Sequence, residues 1–150
     1  PDALPQCGTW TARDTWLSDQ YGSYLAEFEE WLEGMISTMR PDILAFESPI
    51  LLPRQKGRGT DEQQVRRLVS VVGEAEKIAY KRKIECYEIH NQTSKSFMGI
   101  PGRRPEGMTQ GQYKDLMVIE MARRGFSCGD NHQADAAAIA LVVFDMLEPS

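Results

Sequence analysis

The sequence predicts an α/β fold, a central mixed sheet flanked by helices. Two observations carry this. Short apolar runs, ILAF at 43–46 and IECYEI at 84–89, have the length of buried strands. Between and around them lie longer stretches whose apolar residues recur every three or four positions, as on one face of a helix. At 150 residues, with 41% hydrophobic and 26% charged residues, the chain is expected to form one domain, 1–150, with a real core. No apolar run approaches the roughly 18 residues of a membrane span. The first residues lack the basic, apolar, small-residue order of a signal peptide, so a cytoplasmic protein with no membrane partner is expected.

CGTWTA, 7–12, is short and β-prone. A helix follows from about Trp16 to Met39, with Tyr21, Tyr24, Leu25, Phe28, Trp31, Leu32, Met35 and Ile36 at helical spacing, and Pro41 breaks it. Trp16, Tyr24, Phe28 and Trp31 read as core or dimer contacts, since their spacing fits packing. Ile43 to Phe46 reads as a buried strand that ends in Glu47, Ser48 and Pro49. A loop with Pro53, Gly57 and Gly59 carries Arg54, Lys56 and Arg58. Thr60 or Asp61 caps the next helix, with Gln63 or Gln64 as the capping-box partner. That helix runs to about Lys83, with Val65, Leu68, Val69, Val72, Ala75 and Ala79 on one face. After the strand at 84–89, the Gly- and Pro-containing segment 99–111 is a loop. Tyr113 to Arg124 is helical and closed by Gly125. Asp130 or Asn131 caps the last helix, NHQADAAAIALVVF, which ends near Pro149.

Cys7, Cys86 and Cys128 form no CxxC pair, and their odd number argues for reduced thiols rather than a disulfide framework. Cys128 and His132 supply only half of a zinc site. The net charge is −5, but its distribution is uneven. Residues 51–125 hold 15 Lys and Arg against 9 Asp and Glu, and the remainder holds 2 against 13. A basic middle in an acidic protein suits a local anion-binding face as well as an ordinary solvated surface.

The chemistry concentrates at two places. Glu47 ends a buried strand, and strand ends are where α/β sheets build sites. His132 and Asp135 stand three residues apart in the first turn of the last helix, so they share a face. Asp130 lies just upstream. Singly, these read as a solvated strand end, a surface histidine and a second cap residue. Jointly, carboxylates and an imidazole on separate elements are hard ligands for Mg²⁺ or Mn²⁺. Two such ions about 4 Å apart can clamp a phosphodiester between an attacking water and a leaving oxygen. The basic middle would then hold nucleic acid.

Three stretches carry a resemblance. NHQADAAAIALVVF resembles the final helix of the RuvC family of Holliday junction resolvases, where members read NPQADAADALAIA or close to it. LAFESP resembles the strand that ends in the family's catalytic glutamate. YEIHNQTSKSFMGIPG resembles the strand, short helix and loop after the second long helix. The resemblance spans roughly 7–148 in the same element order, and small phage resolvases are most similar. It implies an RNase H-like fold and a metal-dependent endonuclease, with two Mg²⁺ or Mn²⁺ ions, acting on branched double-stranded DNA as a homodimer. It also implies metal roles for Glu47, His132 and Asp135, with Asp130 as the substitute if the helix begins elsewhere. Lys95 and Lys114 match lysines near the scissile phosphate, and Arg54, Lys56, Arg58, Arg103 and Arg104 are further candidates for DNA contact. The helix 59–83 is the dimer face by the same analogy.

Two departures stand out. The family's remaining ligand, an aspartate on a first strand, has no counterpart here: GTW matches the strand after it, and Asp2 is too close to GTW. A strand before Pro1 is therefore expected to carry it. Ile50, Leu51 and Leu52 stand where members place an aromatic that contacts bases. Two other readings share the fold: a branched-DNA-binding module that does not cut, and a nuclease acting on flaps or RNA–DNA hybrids.

Overall fold

The computed structural model describes residues 7–12, 21–49 and 62–148. They form five helices and a two-stranded sheet, in the order α1 (Tyr21–Met39), β1 (Ile43–Glu47), α2 (Glu62–Arg82), β2 (Glu85–Ile89), α3 (Asn91–Phe97), α4 (Gln110–Arg123) and α5 (Asn131–Leu147). The backbone bonds Glu85 N to Asp42 O (3.3 Å) and Ser48 N to Ile89 O (2.9 Å) advance together along both strands, so β1 and β2 are parallel. The intervening α2 makes this a βαβ unit. Residues 7–12 form neither helix nor strand. Their β-propensity is not enough, because a strand also needs a ladder partner. Cys7 and Thr9 instead make side-chain contacts with Cys128 and Gln133 at the start of α5. The expected helix segment 16–20, the basic loop at 54–58, the caps Thr60 and Asp61, and Ile50 to Leu52 lie outside the described residues.

The chain divides into two compact units: 1–10, 45–48 and 88–150 form one, and 11–44 and 49–87 the other. In the second unit, α1 packs on α2. Phe28, Leu32 and Ile36 are buried at four-residue spacing on α1, and Ala75, Ile78 and Ala79 are buried on α2. Arg82 Nε donates to Glu33 Oε2 at 2.7 Å. Both helices end in left-handed residues that are not glycine, Arg40 (φ 47°) and Lys83 (φ 58°). At Lys83 the bonds Ile84 N to Ala79 O (2.9 Å) and Lys83 N to Tyr80 O (3.2 Å) make a Schellman cap. An L-residue pays a steric cost there that glycine does not. Lys83→Gly is expected to stabilise the protein by about 0.5 kcal/mol, after the larger unfolded-state entropy of glycine is deducted. Denaturant titration would read this as a higher midpoint at unchanged slope.

The first unit holds the core that places the site. Met98 and Ile100 after α3, Met117 and Met121 on α4, and Ala134 and Ala138 on α5 form one buried cluster. The alanines keep α5 slim enough for the flexible methionines to fill the space against it. Each helix end is fixed by its own chemistry. Thr109 caps α4 with a full capping box to Gln112, so α4 begins at Gln110 rather than at Tyr113. The same helix ends in a Schellman cap, with Phe126 N bonded to Met121 O (3.0 Å) and Gly125 at φ 88°. Phe126 packs onto the cluster that contains Met121, the hydrophobic contact such caps favour. Ile100 N to Lys95 O (2.8 Å) closes α3 in the same way around Gly99.

Candidate active site

Glu47 reaches the site because β1 ends there, and the next residue anchors that end. Ser48 is buried, and its Oγ donates to Glu88 Oε1 at 2.7 Å. Asp135 reaches it because α5 starts at Asn131. Asp130 is the N-cap, its Oδ1 accepting from Gln133 N at 2.8 Å, while Gln133 Oε1 accepts from Gly129 N at 2.9 Å. The helix thus begins at the residue that puts His132 and Asp135 in its first turn. Asp130 serves as the cap in this register.

Glu47 and Asp135 are half-buried, and His132 is exposed. Burial pushes the Glu47 carboxyl above its usual range. A hydrogen bond from the Asn91 side chain opposes this, nearby Asp135 adds to it, and Lys95 and His132 oppose it. Burial also raises Asp135, against the pull of Lys95, His132 and Lys114. Five sequence-predicted residues, Glu47, Lys95, Lys114, His132 and Asp135, are therefore electrostatic neighbours. Lys95 and His132 act on both carboxylates, and Lys114 on Asp135. The Lys95 Nζ also sits 5.0 Å from the centre of the Tyr113 ring, whose hydroxyl donates to Pro101 O at 2.6 Å. A pocket beside Asp135 is lined by Asn91, Lys95, Tyr113, Lys114 and Asn131. Its two lysines suit an anion such as a phosphate. Arg103 and Arg104 are exposed in the loop between α3 and α4 and do not line this pocket.

Asn91 was not singled out by sequence reasoning. It opens α3 one turn before Lys95, so the two share a helix face. A polar residue at the first helical position after a strand is the only local sign of it, and many such residues merely face solvent. Asn91→Ala removes the bond that favours ionised Glu47. It is expected to move the acid limb of the pH–rate profile to higher pH and to lower the plateau about 10-fold. An unmoved limb with a lowered plateau would assign Asn91 to ligand contact rather than to tuning of Glu47.

Carboxylates and imidazole are donors suited to Mg²⁺ or Mn²⁺. Yet among the described residues no three His, Cys, Asp or Glu side chains come together as a metal-holding group. The described donors alone fall short of the two-ion centre that the resemblance implies.

No protein-family model matches the chain, and no curated protein matches it. Solved structures do. Thermus thermophilus RuvC in complex with a Holliday junction substrate superposes with a TM-score of 0.59 and 15% identity, covering 85% of this chain and 70% of that one. A second structure of Thermus thermophilus RuvC gives a TM-score of 0.58 and 17% identity, covering 93% and 81%. The arrangement of helices and parallel strands that brings Glu47 and Asp135 together is thus a RuvC-like version of the RNase H-like fold.

Proposed function

We propose that this chain is a structure-selective DNA endonuclease that hydrolyses phosphodiester bonds in Holliday junctions or related branched duplexes, with Mg²⁺ or Mn²⁺ as cofactor. The observation that carries this reading is the closeness of two half-buried carboxylates, Glu47 and Asp135, to each other and to Lys95, with Asp135, Lys95 and Lys114 lining one pocket, in a RuvC-like fold. Lys95 and Lys114 meet the phosphate and offset the charge that builds on it during hydrolysis. Arg103 and Arg104 follow the DNA backbone further out. Glu47, His132 and Asp135 contribute to holding the cofactor, together with a donor that is not among the described residues.

The test is cleavage of a labelled four-way junction with and without each metal, alongside binding at several salt concentrations. Paired nicks that require metal and Glu47 support the reading. Affinity should fall steeply with salt, because phosphate contacts release counterions. Tight, salt-dependent binding with no cutting favours the non-catalytic module, and preferential cutting of flaps or RNA–DNA hybrids favours the related nuclease.

Symmetric cutting of a four-way junction requires two sites related by two-fold symmetry, so the reading includes a homodimer. On α2, Leu68 and Val69 are 45% and 47% exposed, adjacent, and available for that contact. Leu68→Glu is expected to convert a dimer to a monomer in sedimentation velocity. A wild-type chain already monomeric at micromolar concentration would remove α2 from this role.

A further inference from the structure

The most specific feature outside the candidate active site is a pair of sulfurs. Cys7 and Cys128 lie far apart in sequence, yet their Sγ atoms are 3.8 Å apart in a part-buried setting, and both thiols are free. A second contact holds the same two segments together: Gln133 Nε2 donates to Thr9 Oγ1 at 3.0 Å. Residues 7–9 are therefore tied at two points to the stretch that leads into α5. Cys86 is exposed on β2 and has no sulfur partner among the described residues.

We propose that Cys7 and Cys128 form a reversible, redox-controlled disulfide that clamps the N-terminal segment to the start of α5. The sulfurs need to close from 3.8 Å to about 2 Å. Side-chain rotation with a small shift of an irregular segment can supply that, since residues 7–12 and 126–128 belong to no helix or strand. The oxidant is a small-molecule disulfide such as glutathione disulfide. The Cys7 thiolate attacks one of its sulfurs and expels a glutathione thiolate, giving a mixed disulfide on Cys7. The Cys128 sulfur then attacks Cys7 Sγ and expels the second glutathione. The two protein thiols are oxidised by two electrons, and their protons end on the two glutathiones.

The bridge would close a loop of well over a hundred residues, the regime in which a cross-link constrains the unfolded chain most. It also lies just upstream of Asp130, the cap that sets where α5 begins. Oxidation therefore stiffens the base of the helix that carries His132 and Asp135, whatever reaction that helix serves.

The test incubates the full chain with glutathione disulfide, blocks residual thiols, and maps peptides by mass spectrometry without reduction. The expected product is a chain with no covalent link to a second copy, in which the Cys7 and Cys128 peptides are joined and two hydrogens lighter than their sum. Its melting temperature rises by roughly 5 °C or more, hydrogen exchange over 126–133 slows, and dithiothreitol reverses both. Cys86→Ser keeps the bridge, and Cys7→Ser and Cys128→Ser lose it. The same oxidation in concentrated guanidinium should scramble the pairing, which shows that the fold selects it. Recovery of Cys7 and Cys128 as separate glutathione adducts from the folded chain, or native pairing of either with Cys86, would overturn the proposal.

Discussion

Replacing Glu47 by Gln is expected to lower junction cleavage by a factor on the order of 10³ or more, while raising the melting temperature of the metal-free chain at neutral pH. The two effects have one origin. Burial and nearby Asp135 make the ionised form of Glu47 unfavourable in the folded state, and Asn91, Lys95 and His132 compensate only in part. Gln keeps the shape, and its carbonyl can still accept from Asn91, but the charge is gone. Asp135→Asn should behave alike, because burial raises that carboxyl too. Both side chains are half-exposed, so solvent screening limits the gain to under about 1 kcal/mol each, or about 2–4 °C. Sites that carry such a stability penalty are a common counterpart of activity.

The pH dependence follows from the direction of the shifts. A carboxyl whose folded pKa is raised binds its proton more tightly in the folded than in the unfolded chain. Its contribution to stability is complete below the unfolded values, 4.5 for Glu47 and 3.8 for Asp135, and is lost as pH rises through the raised folded values. The melting curves of wild type and Glu47→Gln should therefore nearly coincide at about pH 4 and separate towards pH 7. Equal melting temperatures at pH 7 for wild type and both variants would show that the carboxylates are not strained by their surroundings. Full cleavage by Glu47→Gln would remove Glu47 from the reaction.

The parts of this site that the sequence made legible are those encoded locally. An apolar run closing on Glu47 marks a strand end, and Asp130 ahead of a small-residue helix fixes the register that puts His132 and Asp135 in the first turn. The start of α4 was equally local, since Thr109 and Gln112 spell a capping box, but the glycines at 107 and 111 point to a longer loop. Asn91 was not legible, because its importance comes from Glu47 on another element. Nor was the partial use of α2. Its apolar stripe runs from Val65 to Ala79, yet only the later part, at Ala75, Ile78 and Ala79, is buried, and Leu68 and Val69 stay exposed. Periodicity shows which face is apolar; it does not show how far along the helix a neighbour extends. For the same reason CGTWTA reads as a strand from its residues, while the described chain gives it no ladder.

Lys95→Ala carries the second large expected effect, a cleavage loss of about 10²–10³-fold with a stability loss of about 1 kcal/mol at neutral pH after allowance for solvent exposure. Lys95 lowers both Glu47 and Asp135, so its removal leaves two half-buried carboxylates with less compensation, and both carboxyls should titrate at still higher pH. Junction affinity should fall modestly, with the salt dependence shallower by about one ion, as expected for one lost phosphate contact. Two accounts of the stability loss are separable. If Lys95 acts by charge, its deletion should cost less in an Asp135→Asn background, with a coupling of about 0.5 kcal/mol or more across the double-mutant cycle. If its main contribution is the stack of its Nζ over Tyr113, at 5.0 Å from the ring centre, the cost is the same in both backgrounds and shrinks instead with Tyr113→Leu. Lys95→Arg sharpens the comparison, since it keeps the charge and stacks well on aromatic rings but replaces a compact ammonium by a planar fork. Retained stability with reduced cleavage in Lys95→Arg would place the requirement for lysine at the phosphate rather than between the carboxylates.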